Sequence, residues 1–289
     1  MKIVEITYRY DDVKVAARPR PVDATQARER LDAGSRAIAE LFDGLKGGSG
    51  TAQRIIRVDP RDLGLESGRQ AAPRQRPFAA VLGCSDARVP IELIFNEGPN
   101  DMFVVRVAGN GLGAEVLGSL KYAIDHLGES LKIFVVLGHS GCGAVSAAVD
   151  LFLDPQGYLA LAGKHSLRGI LDRLILVVHT AAKRMTAVHG ADVSARPRYR
   201  EALIETAIVA NAALAAYTLQ HEIGRDDPNG IRAAYGVYLL AEHEVWAPRL
   251  DSTACAGLAY SPENIGASGA FFDVVVRSDR IAAMLEAAA

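Results

Sequence analysis

Apolar and polar residues alternate in the first eight residues, Met-Lys-Ile-Val-Glu-Ile-Thr-Tyr, as they do in a strand with one covered face. From 23 to 45 the period lengthens: Leu31, Ile38, Leu41 and Leu45 fall on one helical face, with Asp23 and Gln26 spaced as a capping box. This predicts an amphipathic helix packed outside the core. Residues 46–77 are rich in Gly, Arg, Gln and Pro, with Ile55, Ile56 and Val58 as their apolar cluster, and read as an excursion or mobile insert.

From Phe78 the pattern changes to short apolar runs separated by helical stretches. Residues 79–83, 102–107 and 132–138 are strands by length and by Val, Ile and Phe content. Runs this apolar belong to a sheet covered on both faces. Between the last two, Leu117, Leu120, Ile124 and Leu127 line one face of a helix over 115–127, and Gly128 follows as a stop. A strand–helix–strand unit of this kind implies parallel pairing. A helix beginning near Ser166 carries Leu167, Ile170, Leu171, Leu174 and Val178 on one face, and another runs over 200–221. Residues 231–241 supply a fourth core strand, 271–276 a further strand candidate, and 281–289 look helical. The fold class is α/β, a mainly parallel central sheet flanked by helices with an N-terminal helical arm. Three segments follow: 1–77 as strand, arm and insert, 78–250 as the core, and 251–289 as an extension packed on it.

The chain has 289 residues, 49% of them hydrophobic, enough to bury a large core. Its 32 basic and 34 acidic side chains nearly cancel, so its charge gives no reason to expect nucleic acid or an anionic membrane. The first residues lack a secretory signal pattern, and charges interrupt every later stretch that approaches the roughly 18 apolar residues of a membrane span. The expected location is cytoplasmic. Three cysteines, Cys84, Cys142 and Cys255, make a poor disulfide framework, and metal binding or catalysis is the better use.

Cys84 ends the first core strand in Cys-Ser-Asp-Ala-Arg-Val-Pro, and His139 and Cys142 follow the third in Gly-His-Ser-Gly-Cys-Gly. Both motifs sit at carboxyl ends of parallel strands, where open α/β sheets place their ligand sites. Two thiolates and an imidazole converging there form a recognised catalytic zinc set that leaves the fourth position for water or substrate. Cys142 opens a helix over 143–153, whose N-terminal amides favour a thiolate. Asp86 and Arg88 are spaced to pair, and the arginine then keeps the carboxylate ionised. A closed site would need a fourth protein ligand, from Cys255 or Asp86.

Two competing readings are weaker. Gly109-Asn-Gly111-Leu-Gly113-Ala114 fits a dinucleotide-binding turn, but the acidic partner expected after the next strand is missing. The glycines then serve a tight strand-to-helix connection. A nucleophilic Cys84 activated by His139 leaves Cys142 and the Asp86–Arg88 pair without roles.

The motifs Cys84-Ser-Asp86-Ala-Arg88 and His139-Ser-Gly-Cys142-Gly resemble the signature pair of the beta-class carbonic anhydrases. The resemblance implies zinc held by Cys84, His139 and Cys142, with Asp86 and Arg88 as the dyad governing the fourth position, and reversible hydration of carbon dioxide to bicarbonate. In the family that aspartate is either on the metal or swung onto the arginine. Amides near Gly143 help hold bicarbonate, and the positions of Glu97 and Val107 border the substrate. This chain departs from the family's pattern at three places. Val81 stands where some members have a tryptophan associated with an inhibitory bicarbonate site, Glu97 where many have glutamine, and Arg106-Val107 where many have Arg-Asn. A cavity-facing Glu97 would repel bicarbonate and raise the pKa of the activated water, whereas a solvated loop carboxylate would do neither. The six histidines outside the motif, at 126, 165, 179, 189, 221 and 243, mark no secure proton shuttle. Family relatives also include carbonyl sulfide and carbon disulfide hydrolases, and a non-catalytic zinc-bearing interaction module is a third reading. The family implies at least a homodimer, with the N-terminal helix reaching a neighbouring subunit.

Overall fold

The computed structural model describes residues 2–10, 19–46, 49–65, 72–157, 165–224, 227–248, 257–262 and 268–287. Cys255 lies outside them.

Four parallel strands form the centre of the molecule. They are β3 (Ala79–Gly83), β4 (Met102–Arg106), β5 (Ile133–His139) and β6 (Arg232–Leu239), in the order β4-β3-β5-β6. Antiparallel β7 (Glu244–Trp246) and β8 (Ala259–Tyr260) both pair with β6. Every residue of β3 and β5 is buried, as expected of strands covered on both faces. Their side chains alternate between two cores. Ala80, Leu82, Phe134 and Val136 enter the larger one, and Ala79, Val81, Ile133, Val135 and Leu137 the smaller.

Over the larger core lie α3 (Ala114–Leu127), α4 (Gly143–Leu153), α5 (His165–His189) and α6 (Tyr199–Ile223), joined by α7 (Ser268–Val276) and α8 (Asp279–Glu286). The smaller core is covered by α1 (Ala24–Asp43) and the short α2 (Ile91–Ile94). Asp23 caps α1 by accepting the Gln26 amide at 2.8 Å, while the Gln26 side chain accepts the Val22 amide at 3.4 Å, one residue short of the reciprocal box. Rather than lying outside the core, α1 presses Ala27 and Leu31 into it. By length and composition α6 is apolar enough to cross a membrane, against the expectation that no segment approaches this; its apolar stretch is 72% buried against the sheet and α5.

Two segments differ from their sequence expectation. The stretch 46–77 holds a strand, β2 (Gly50–Val58), which pairs in parallel with β1 (Lys2–Tyr10), followed by a 3-10 turn at Pro60–Leu63. Ile56 and Val58 are its buried alternate positions, a pattern too short to stand out beside the Gly- and Arg-rich flanks. The strand candidate 271–276 is the end of helix α7. Phe271, Phe272, Val275 and Val276 are all buried at helical spacing, and an uninterrupted apolar run does not distinguish the two periods.

Candidate metal centre

Strand register brings the two motifs together. Gly83 is opposite Leu137, so Cys84 and His139 leave adjacent strands at the same carboxyl edge. Cys142 follows one tight turn later, immediately before α4. One ligand atom from each of Cys84, His139 and Cys142 lies within 4.8 Å of the others, and all three residues are buried.

The spacing of the two sulfurs fits a tetrahedral zinc ion. The two sulfurs are 3.9 Å apart, and two sulfurs each about 2.3 Å from one ion at a tetrahedral angle stand about 3.8 Å apart. His139 Nδ1 is 3.1 Å from the Ser140 carbonyl, a contact that assigns the proton to Nδ1 and leaves Nε2 as a lone-pair donor. That Nε2 is buried with no hydrogen-bond partner among the described residues. An orphaned imidazole nitrogen beside two free thiols is unfavourable by itself and satisfied by a cation.

The thiols compete for charge. Hydrogen bonding from Cys142, and further from the Asp86 and Gly109 amides, holds the Cys84 thiol well below its ordinary range. The hydrogen bond with Cys84, and then burial, push the Cys142 thiol up, although the Val145 and Ala144 amides at the α4 N-terminus act in the opposite sense. A divalent cation removes this competition, since each coordinating thiol is then a thiolate.

Asp86 sits beside the three donors in a two-pronged pair with Arg88. Arg88 Nε donates to Oδ1 at 3.0 Å, Nη2 to Oδ2 at 2.7 Å, and the Arg88 amide to Oδ1 at 2.9 Å. This guanidinium holds the carboxyl far below the usual carboxylate range. Asp86 Oδ2 is nevertheless 3.7 Å from His139 Nε2, so the carboxylate reaches both the arginine and the edge of the donor set.

The remaining candidates are placed as follows. Gly143 is the first residue of α4 and is exposed, and a Cβ built on it meets nothing within 4 Å among the described residues. Val107 is half-buried, its amide bonded to the Gly83 carbonyl at 3.0 Å. Glu97 is neither a solvated nor an unpaired carboxylate: it is fully buried, and Arg30 donates to both of its oxygens, at 2.9 and 2.6 Å. The glycine-rich turn is a connection, as the missing acidic partner implied. Gly109 has φ of 66°, its amide approaches Cys84 Sγ at 3.4 Å, and its carbonyl accepts Asn211 Nδ2 at 2.9 Å.

Two residues to which sequence reasoning gave no role support the ligand loops. Arg106 bonds the Cys84 carbonyl through Nε at 2.9 Å and the Asp86 carbonyl through Nη2, fixing the turn between ligand and dyad. Glu205 on α6 accepts the Gly141 amide at 3.0 Å between the other two ligands. Its signal was present: it is the one charged residue in the apolar run 202–216.

Residues 79–222 match the family model described as carbonic anhydrase. Carbonic anhydrase 2 of Mycobacterium tuberculosis is 47% identical over 91 residues, covering 30% of this chain and 43% of that protein. The carbonic anhydrase of Mycolicibacterium smegmatis is 44% identical over 99 residues, covering 33% and 47%. The chain thus spans less than half the length of these curated relatives. Among solved structures, the beta-carbonic anhydrase CcaA aligns with a TM-score of 0.49 at 23% identity over 64% of this chain and 85% of that one. With both motifs of the donor set inside the matched segment, the chain belongs to the carbonic anhydrase family.

Proposed function

We propose that this protein is a zinc-dependent carbonic anhydrase that reversibly hydrates carbon dioxide to bicarbonate and a proton. The observation that carries the reading is the buried Cys84–His139–Cys142 set with an orphaned Nε2, inside the family-matched segment. Those three residues hold the ion, which as a Lewis acid makes water acidic enough to supply a nucleophile near neutral pH.

The other roles belong to side chains and amides of the chain. Asp86, kept ionised by Arg88, accepts a hydrogen bond from the attacking water through Oδ2 and aims the oxygen lone pair at the carbon. Amides at the open N-terminus of α4, beginning at Gly143, favour the bicarbonate anion. Val107 adds an apolar wall suited to carbon dioxide. Glu97 is set aside from this scheme, because its charge is neutralised by Arg30 and bicarbonate meets no free carboxylate there.

The proposal takes 78–250 as the catalytic core and 251–289 as its extension. It includes a cytoplasmic location, in keeping with two free buried thiols. It also includes a homodimer or larger homo-oligomer, supported by the half-exposed apolar edge strand β4. Stopped-flow hydration between pH 7 and 9, with zinc content measured on the same sample and Cys142→Ala as control, tests the activity. A rate that follows zinc and vanishes in the control is expected. A zinc-loaded chain without a rate refutes it.

A further inference from the structure

The ligand loop His139–Cys142 is a short, tight turn. Gly141 turns it at φ of 62°, a conformation glycine adopts readily, and its amide donates to an acceptor from another element. Glu205 Oε1 provides one at 3.0 Å. A carboxylate only 8% exposed is costly to keep unless it is paired. Its second oxygen is paired: Arg280 Nε and Nη2 approach Oε2 at 3.4 and 3.3 Å, and Arg280 Nη1 also reaches Glu242 Oε1 at 3.3 Å. Arg280 stands on α8, beyond the family-matched segment 79–222. Ile281 and Leu285 beside it are buried in the larger core, which docks the helix and fixes where Arg280 points.

We propose that Glu205, locked by Arg280, is the positioning residue of the metal-ligand loop, so that the C-terminal helix sets the affinity and geometry of the zinc site. The relay runs from Arg280 to the Glu205 carboxylate, to the Gly141 amide, and through that turn to His139 and Cys142. Neither residue touches the ion or the substrate. The inference rests on the zinc reading of Cys84, His139 and Cys142 and adds what holds two of them in place.

Cobalt(II) substitution of the full chain tests it without turnover, because thiolate charge-transfer and ligand-field bands report geometry and chelator competition reports affinity. Glu205→Leu and Arg280→Ala are expected to weaken cobalt binding about 10- to 100-fold, the usual cost of losing an outer-sphere partner, and to shift the ligand-field bands. Arg280→Lys keeps a cation for the carboxylate and should recover most of the affinity, whereas Glu205→Gln keeps an oxygen for the Gly141 amide but turns its NH2 to Arg280 and should recover only part. Leu31→Ala weakens the smaller core, away from the relay; it should lower the melting temperature and leave the spectrum unchanged.

Folded Glu205→Leu or Arg280→Ala protein with wild-type affinity and bands overturns the proposal. So does Leu31→Ala if it reproduces their metal loss. Should Glu205→Leu not fold, the more exposed Arg280→Ala against Arg280→Lys decides the question. A wild-type chain that takes up no metal sinks the reading of the site itself, whereas variants that match a metal-binding wild type sink only the positioning role.

Discussion

Arg30 on α1 and Glu97 after α2 form a closed ion pair, Nε to Oε1 at 2.9 Å and Nη2 to Oε2 at 2.6 Å, around a carboxylate with 0% exposure. The guanidinium also lies over the Phe78 ring at 4.4 Å and reaches Asp101 Oδ1 at 3.4 Å. Burial alone would lower the pKa of Arg30, but Glu97 and Asp101 outweigh it and raise the value. The pair thus ties the N-terminal helix to the segment leading from the dyad to β4.

Removing Arg30 takes a two-pronged donor from a fully buried carboxylate. Arg30→Ala is therefore expected to cost about 3–5 kcal/mol in urea unfolding. The double variant Arg30→Met/Glu97→Met removes both charges at similar volume and should lie much closer to wild type. If the single variant is as stable as wild type, the pair does not hold α1 in place.

Metal removal should expose the unequal thiols. Cys84 is held below its ordinary range chiefly by the hydrogen bond from Cys142, and Cys142 is raised, so the stripped protein at pH 6 carries one thiolate per chain. A free thiol with a pKa of about 8.5 would be almost entirely protonated there. Thiolate absorbance at 240 nm after chelation measures this directly. In Cys142→Ala the largest cause of the Cys84 shift is gone, and the absorbance should appear only at higher pH. Equal titration of both thiols in the wild-type apoprotein would contradict the assignment.

The donor set was legible because its signals are local: each motif follows an apolar strand, and the strand ends carry the chemistry. β3 and β5 could be read for the same reason, being apolar at almost every position. What escaped depends on distant partners. Glu97 reads as a cavity-facing or a solvated loop carboxylate until Arg30, 67 positions away, closes on it. β2 becomes a strand only when paired with β1, 48 positions earlier in register. Residues 271–276 are apolar throughout and carry no period, so their helix is decided by packing against the larger core.

Gly109 is a backbone requirement next to a ligand. With φ of 66°, and a Cβ that would sit 3.1 Å from Leu174 Cδ1 and 3.2 Å from Ala144 Cβ, Gly109→Ala should cost roughly 1–2 kcal/mol from the left-handed backbone, with crowding added. Its amide would also shift from Cys84 Sγ, so zinc should be lost at lower chelator concentration. Gly111→Ala is the internal control, since Gly111 has φ of −74° and open space where a Cβ would be. A melting temperature and zinc retention equal in the two variants would dismiss the constraint.

Asp86 should remain ionised throughout any practical assay. Its folded pKa is depressed, with the Arg88 hydrogen bond as the largest cause, so the associated stability is in place above the unfolded value of about 3.9 and is lost only as pH falls through the lower folded value. Arg88→Ala removes that restraint, and Asp86 then protonates nearer the ordinary carboxylate range. It also frees an oxygen already 3.7 Å from His139 Nε2 to turn onto the metal. The variant is expected to keep its zinc and lose about 100-fold in hydration rate between pH 7 and 9, within the usual contribution of a positioned acid–base group. Arg88→Lys should recover only part of this, because an ammonium cannot reproduce the two-pronged contact. Full activity in Arg88→Ala at normal zinc content would show that the open position is governed by something other than this dyad.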